Sequence, residues 1–263
     1  MSQALDKLST AERKILLWAR RDRELKGTLG LLLEGEKLTV EALKSNIKSE
    51  LCWVTENFVY ANESLIARIE KTGCPISNVS TRVMEALSGM DTPPGIIMAA
   101  HQPLIRLCSP NEKWKFIVVL FGAQDPGNVG GVLRTAEYFG VDEVWLGSGS
   151  VDPYSPKVIR GSMGAALRLP IFRGDVPERI KIFRSSGSVV WGSVAHGYAE
   201  PVINPAPKRI LLIGQESSGL TERELALADK RVRIPKPGRG ESLNLGVATG
   251  ILIYSALGSL EKA

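Results

Sequence analysis

Four runs in the second half of the chain hold consecutive apolar residues: KFIVVLFGAQ (115–124), VDEVWLGSGSV (141–151), SVVWGSVA (188–195) and RILLIGQESSG (209–219). A strand with water on one face alternates apolar and polar residues; an unbroken apolar strand needs cover on both faces. Helical stretches separate the runs: DPGNVGGVLRTAEYFG, whose Gly127, Gly130 and Gly131 open a helix, then SPKVIRGSMGAALRLPIF, a helix running into a strand, then 177–185 and 221–228. Strand alternating with helix predicts a parallel sheet covered by helices over residues 113–263. By periodicity alone this is a doubly wound sheet.

The chain is organised around its last such unit, 233–254, RIPKPGRGESLNLGVATGILIY. It begins as a short strand end at Val232 and Ile234, then breaks at Pro235, Pro237, Gly238 and Gly240. It resumes as a helix in which Leu243, Val247, Ile251 and Tyr254 recur at three- and four-residue spacing. A loop with two prolines cannot pair its backbone regularly, so its N–H and C=O groups are free for another partner. Ser242 and Asn244 sit where the loop becomes the helix; either can cap it.

The first half also alternates. AERKILLWARRDRELK (11–26) reads as an amphipathic helix with an apolar stripe at Ile15, Leu16 and Trp18 and a basic one at Arg13, Lys14, Arg20, Arg21, Arg23 and Lys26. That basic face is either solvated or an RNA-phosphate face. A strand at 31–33, a helix at 39–44, a strand at 51–58, a helix in ESLIARIEKTG with Gly73 as its C-cap, a strand at 76–79, a helix at 81–87 and a strand at 95–102 follow. They predict a small α/β unit over residues 1–107, joined by CSPNEKW (108–114) to the parallel domain at 113–263.

Of the 263 residues, 44% are hydrophobic and 23% charged, the balance of a soluble globular protein. No apolar run is long enough to span a membrane, and the first residues lack a signal-peptide core. Cys52, Cys74 and Cys108 are widely separated, as are His101 and His196, so no metal-ligand spacing occurs. These features predict a cytoplasmic, reduced chain with no metal and no membrane partner. The net charge of +5 permits a nucleic-acid partner without demanding one.

In open parallel sheets, ligands bind beyond the carboxyl ends of strands. Three of those ends are polar and glycine-rich: GAQDPGNVGG, IGQESSG and IPKPGRGESLN. The first fails the dinucleotide fingerprint because Asp125 stands where a glycine is needed, and no P-loop motif occurs. Read one residue at a time, Asn128 is a helix cap, Arg134 a surface arginine and Glu216 a first-turn acid.

DPGNVGGVLRTAEYFGV, IGQESSGLTEREL and RIPKPGRGESLNLGVATGILIY, in this order, resemble the three motifs of the SpoU (TrmH-like) branch of the SPOUT methyltransferases. YSPKVIRGSMGAALRLPIF between them is similar to that family as well, and the first half resembles the small α/β substrate-binding domain that many members carry. The resemblance implies transfer of a methyl group from S-adenosylmethionine to a ribose 2′-OH of RNA, within an α/β parallel-sheet domain bearing a deep trefoil knot. It also implies a homodimer through the C-terminal domain. By position, Gly214, Ile234 and Leu243 match the cofactor-contacting places. Asn128, Arg134, Glu216, Ser242 and Asn244 match the polar signature. Arg134 is the family's expected actor, as base or as a grip on the adjacent phosphate; the grip is favoured because an arginine keeps its proton. The RNA-contacting candidates are Arg20, Arg21, Arg23 and Arg160, with Ser162 beside them. Lys236-Pro237 and Gly246 depart from the common pattern and bear on substrate fit. The two-domain layout resembles members acting on large-subunit ribosomal RNA, with transfer RNA as the alternative. A non-catalytic RNA-binding protein of the same fold, a nucleotide-dependent enzyme and base methylation are the rival readings.

Overall fold

The computed structural model describes residues 3–20, 30–201, 207–239 and 242–257. It divides into two units. The first comprises residues 1–104 together with 154–168, the second 105–153 together with 169–263.

The first unit contains α1 (Thr10–Ala19), β1 (Gly30–Glu34), α2 (Glu36–Lys44), β2 (Ser49–Val54), α3 (Glu56–Ala61), α4 (Glu63–Lys71), β3 (Ile76–Asn78), α5 (Thr81–Leu87) and β4 (Ile96–His101). Its sheet runs β1-β4-β2-β3. β4 is antiparallel to β1 and β2, while β2 and β3 are parallel. The first helix starts where Ser9 and Glu12 cap each other, Ser9 N–H donating to the Glu12 carboxylate at 2.7 Å and Glu12 N–H to the Ser9 hydroxyl at 3.2 Å. Its apolar stripe is sunk among Trp53, Met84 and Leu87. A side chain at Gly30 would meet the Trp18 ring at 2.6 Å, so only glycine lets β1 pass this close. The expected strand at 51–58 ends earlier, because Thr55 turns to accept Phe58 N–H and caps α3. The expected helix at 39–44 begins three residues sooner, at Glu36. Gly73 closes α4 with φ +75°, as expected of a C-terminal glycine.

The first unit also takes in residues 154–168, which the expected boundaries at 1–107 and 113–263 leave in the second domain. Val158 and Ile159 are buried there, and Arg160 donates to Glu34 at 2.9 Å. Glu34 is itself buried and further accepts from the Ser88 hydroxyl (2.6 Å) and Gly89 N–H (3.0 Å). Arg168 pairs with Glu41. A buried carboxylate needs such partners, and they tie residues 154–168 into this unit.

The second unit carries β5 (Phe116–Leu120), α6 (Pro126–Tyr138), β6 (Glu143–Leu146), β7 (Ile171–Arg173), α8 (Val176–Arg184), β8 (Val189–Ser193), β9 (Arg209–Ile213), α9 (Glu222–Leu225), β10 (Lys230–Val232) and α10 (Leu245–Leu257); the intervening α7 (Pro156–Gly161) belongs to the first unit. Its six strands run β10-β8-β9-β5-β6-β7, and every neighbouring pair is parallel. The unbroken apolar residues of β5 and β9 are buried throughout, as expected for central strands of a covered sheet. Ile117, Val119 and Phe121 share one core with Val176, Ile180 and Phe183 of α8. Trp114, expected in a linker, is buried in this core. At its margin Arg179 lies 4.4–4.9 Å from the rings of Phe172, Phe183 and Trp145 and pairs with buried Glu143 at 3.2 Å. Buried Arg209 donates to the carbonyl of Ala256 and so fastens the last turn of α10 to the start of β9. Among the described residues no helix is long and apolar enough to cross a membrane.

Candidate active site

Because the sheet of the second unit is parallel, all its strands end at one edge, and the loops that follow are stitched together there. Phe121 N–H donates to Ile213 O at 2.9 Å, Gly147 N–H to Leu120 O at 2.9 Å, and Val151 N–H to Ala123 O at 2.9 Å. Two glycines allow this crowding. Gly122 has φ +61°, and a side chain on it would meet Gln215 at 2.5 Å. A side chain on Gly214 would lie 2.0 Å from the Gly219 carbonyl carbon. The tight turn that follows is closed by reciprocal bonds between the backbones of Gln215 and Gly219, at 3.0 and 2.9 Å.

Three polar side chains meet at this edge. Asp125 caps α6 by accepting Asn128 N–H at 2.7 Å, with Pro126 as the first helical residue. Asn128 therefore is not the cap, and its side chain is free to donate to Glu216 at 2.9 Å. Glu216 stands in the Gln215–Gly219 turn rather than on a helix, since α9 begins only after Thr221. Asn244 takes the cap of α10: its Oδ1 accepts Gly246 N–H (2.9 Å) and Val247 N–H (3.3 Å). Its Nδ2 then donates to Asn128 Oδ1 at 2.7 Å and to Glu216 Oε1 at 3.3 Å. One asparagine thus starts the last helix and binds the first and second polar loops.

Ser242 and Leu243 are exposed beside this triad, Ile234 is half-buried and Gly214 is buried. Arg134 is exposed and makes no side-chain hydrogen bond or ion pair with another described residue. At 100° per residue it lies about 20° round α6 from Gly127, at the margin of the helix face carrying Asn128, Gly131 and Thr135. That face and Gly246, Val247 and Ile251 of α10 flank an open groove of about 480 Å³. Backbone groups from Ile234 to Arg239 make no backbone hydrogen bond to another described residue. The loop retains donors and acceptors for a ligand, and it is the place expected to hold S-adenosylmethionine. Sequence reasoning missed Asp125 as the cap; its signal is the Asp-Pro pair that commonly opens a helix.

Two of the RNA-contacting candidates of the first unit, Arg20 and Arg160, are held by groups within the unit. Arg20 donates to Ala86 O (3.1 Å) and Leu87 O (3.0 Å), satisfying carbonyls at the end of α5. Arg160 is held by Glu34, and the Ser162 hydroxyl donates to Ile159 O at 2.9 Å. Arg21 and Arg23 lie outside the described residues, as does Gly240.

Residues 115–254 match the SpoU rRNA Methylase family. The chain belongs to this family. Residues 15–98 match the MRM3-like substrate binding domain. The 23S rRNA (guanosine(2553)-2′-O)-methyltransferase RlmP of Bacillus subtilis is 28% identical over 253 residues, covering 95% of this chain and 98% of that one. A solved RNA 2′-O ribose methyltransferase superposes with a TM-score of 0.78 at 30% identity, over 96% of this chain and 98% of that one. An AdoMet-bound rRNA methyltransferase from Sinorhizobium meliloti gives a TM-score of 0.77 at 26% identity, over 96% of this chain and 95% of that one. The SpoU motifs quoted above fall within the matched span and include Asn128, Glu216 and Asn244.

Proposed function

We propose that this SpoU-family protein is an S-adenosylmethionine-dependent methyltransferase acting on a ribose 2′-OH of ribosomal RNA. The observation that carries the reading is the hydrogen-bonded set Asn128–Glu216–Asn244, which joins the three signature loops at the carboxyl edge of one parallel sheet. The names of the similar proteins, RNA and rRNA 2′-O-methyltransferases, support the same reaction.

The cofactor supplies a methyl group already activated on a sulfonium centre. What remains for the protein is alignment of a hydroxyl and assistance as its proton departs. Gly214, Ile234 and Leu243 would hold the cofactor, with the backbone groups of the 234–239 loop that are unpaired among the described residues. Arg134 grips the phosphate beside the target ribose; its planar fork suits a phosphate, and it has no side-chain partner among the described residues. Asn128 and Asn244 fix Glu216, and with Ser242 they shape the pocket for the ribose. The first unit recognises the RNA, in line with its match to a substrate-binding domain.

The working form is a homodimer through the second unit, and the chain carries the family's trefoil knot. α10 has no charged residue, yet Val247, Ile251 and Tyr254 are 52%, 41% and 66% exposed, and Tyr138 of neighbouring α6 is 83% exposed. A helix apolar on all sides needs cover on all sides, and a second copy provides it. Incubation with tritiated S-adenosylmethionine and ribosomal RNA tests the reaction: label enters the RNA if it holds, and a folded dimer that binds neither cofactor nor its demethylated product contradicts it.

A further inference from the structure

Between Lys230 and Arg239 the chain carries Lys230, Arg231, Arg233, Lys236 and Arg239 and not one acidic residue. Lys230 is occupied, paired with Glu200 at 3.2 Å and set 5.1 Å over the Trp191 ring. The other four are exposed, and none has a side-chain hydrogen bond or ion pair with another described residue. Arg13 and Arg20 at the first helix, by contrast, are held, Arg13 by Leu8 O and Asp6 and Arg20 by two carbonyls. Cations that fold stability uses are paired with something. Among the described residues these four have no such partner.

The strip follows the edge strand of the six-stranded sheet. Glu200 bridges to Val232, with Glu200 N–H donating to Arg231 O at 2.9 Å and Arg233 N–H to Glu200 O at 3.0 Å. Glu200 is thereby laid alongside Arg231 and Arg233. Two residues before Glu200, the side chain of Tyr198 is 92% exposed. An exposed aromatic ring on the segment bridged to a strand end that carries exposed cations suits single-stranded nucleic acid: cations follow the phosphates, and the ring takes an unstacked base.

We infer that Arg231, Arg233, Lys236, Arg239 and Tyr198 form a docking strip for a single-stranded stretch of the RNA substrate, in the catalytic unit itself. The inference rests on the reading that RNA is the substrate. It gives the 233–239 loop two duties, the cofactor on its backbone and RNA on its side chains. It also makes Lys236 a residue of RNA affinity.

The test uses the full chain, a fluorescein-labelled 20-nucleotide single-stranded RNA of mixed sequence and a duplex of the same length, titrated without cofactor at several salt concentrations. The unaltered protein should prefer the single strand. The triple variant Arg231→Gln, Lys236→Gln, Arg239→Gln should bind more weakly, and its slope of log affinity against log salt should shrink by about 2, since each single-strand phosphate contact contributes about 0.7. Tyr198→Ala should weaken binding by about 5- to 150-fold, the loss of one stacked base, with the slope unchanged. Thermal melting curves of the same variants that match the unaltered protein confirm an intact fold. A triple variant that keeps both affinity and slope overturns the strip while leaving RNA methylation standing. An unaltered protein that binds no RNA overturns the functional reading as well.

Discussion

Asn244 does two separable jobs, and three substitutions pull them apart. Its Oδ1 caps α10 through Gly246 and Val247 N–H, and its Nδ2 donates to Asn128 and Glu216. Replacing a capping asparagine by alanine costs about 1 kcal/mol. Loss of the bond to the Glu216 carboxylate adds less than the 1.5–3 kcal/mol or so typical of a charged partner, because these groups are exposed and water replaces the amide. Asn244→Ala should therefore destabilise the protein by about 1–2 kcal/mol, lowering the melting temperature by about 2–8 °C. Asn244→Ser keeps a capping oxygen and Asn244→Asp keeps it with a favourable charge at the helix start. Both should recover most of that stability. Neither can donate as the amide does, and the aspartate faces Glu216 with like charge. Loss of alignment between loops costs about 10² in rate, so all three variants should methylate slowly in single-turnover reactions with saturating enzyme and cofactor. Wild-type rates for Asn244→Ser would refute the clamp. An unchanged melting temperature for Asn244→Ala would refute the cap.

Arg134→Ala should lower the single-turnover rate by about 10² or more with cofactor affinity nearly unchanged, and Arg134→Lys should rescue poorly because an ammonium lacks the planar fork; near-normal turnover by the alanine variant would return Arg134 to an ordinary surface role. Val247→Glu with Ile251→Glu should turn the proposed dimer into a monomer in analytical ultracentrifugation, and a dimer unchanged across concentration would place the contact elsewhere. Glu50 is held below its ordinary carboxylate range by hydrogen bonds from Lys48 and His101. Its contribution is present above the unfolded pKa and is lost as pH falls from about 4.5 through the lower folded value; Glu50→Gln should flatten the acid limb of melting temperature against pH, and an identical limb would contradict this. Burial and the carboxylates of Glu143 and Asp142 push the Cys108 thiol up to about 12, so at pH 7–8 it should react with iodoacetamide far more slowly than a free thiol.

The parallel sheet was legible because β5, β6, β8 and β9 are short apolar runs separated by helical stretches, and α5 falls at 81–87 as its pattern indicates. What the sequence hid lies in long-range partners. The face carrying Arg20 reads as solvent-facing until carbonyls 66 and 67 residues away come to meet it. Residues 154–168 read as part of the second domain, because nothing local signals that Arg160 will meet Glu34 across 126 positions. The antiparallel course of β4 is equally silent, since strand–helix alternation fixes element type and not direction. At the site, local patterns supplied candidates without roles. Asn128 reads as a cap until Asp125 is seen to hold that place, and Glu216 and Asn244 meet it from 88 and 116 residues away. Motif resemblance grouped these residues; their hydrogen bonds give the grouping a physical basis.

The most direct test is to map ribose methylation in ribosomal RNA from cells with and without this protein, by nuclease digestion and mass spectrometry of the nucleosides. The expected result is one 2′-O-methylated nucleotide that disappears without the protein and returns when purified protein and S-adenosylmethionine are added to the undermethylated RNA. A methyl group found on a base instead, or a ribose-methylation map identical in both cells, would contradict the assignment.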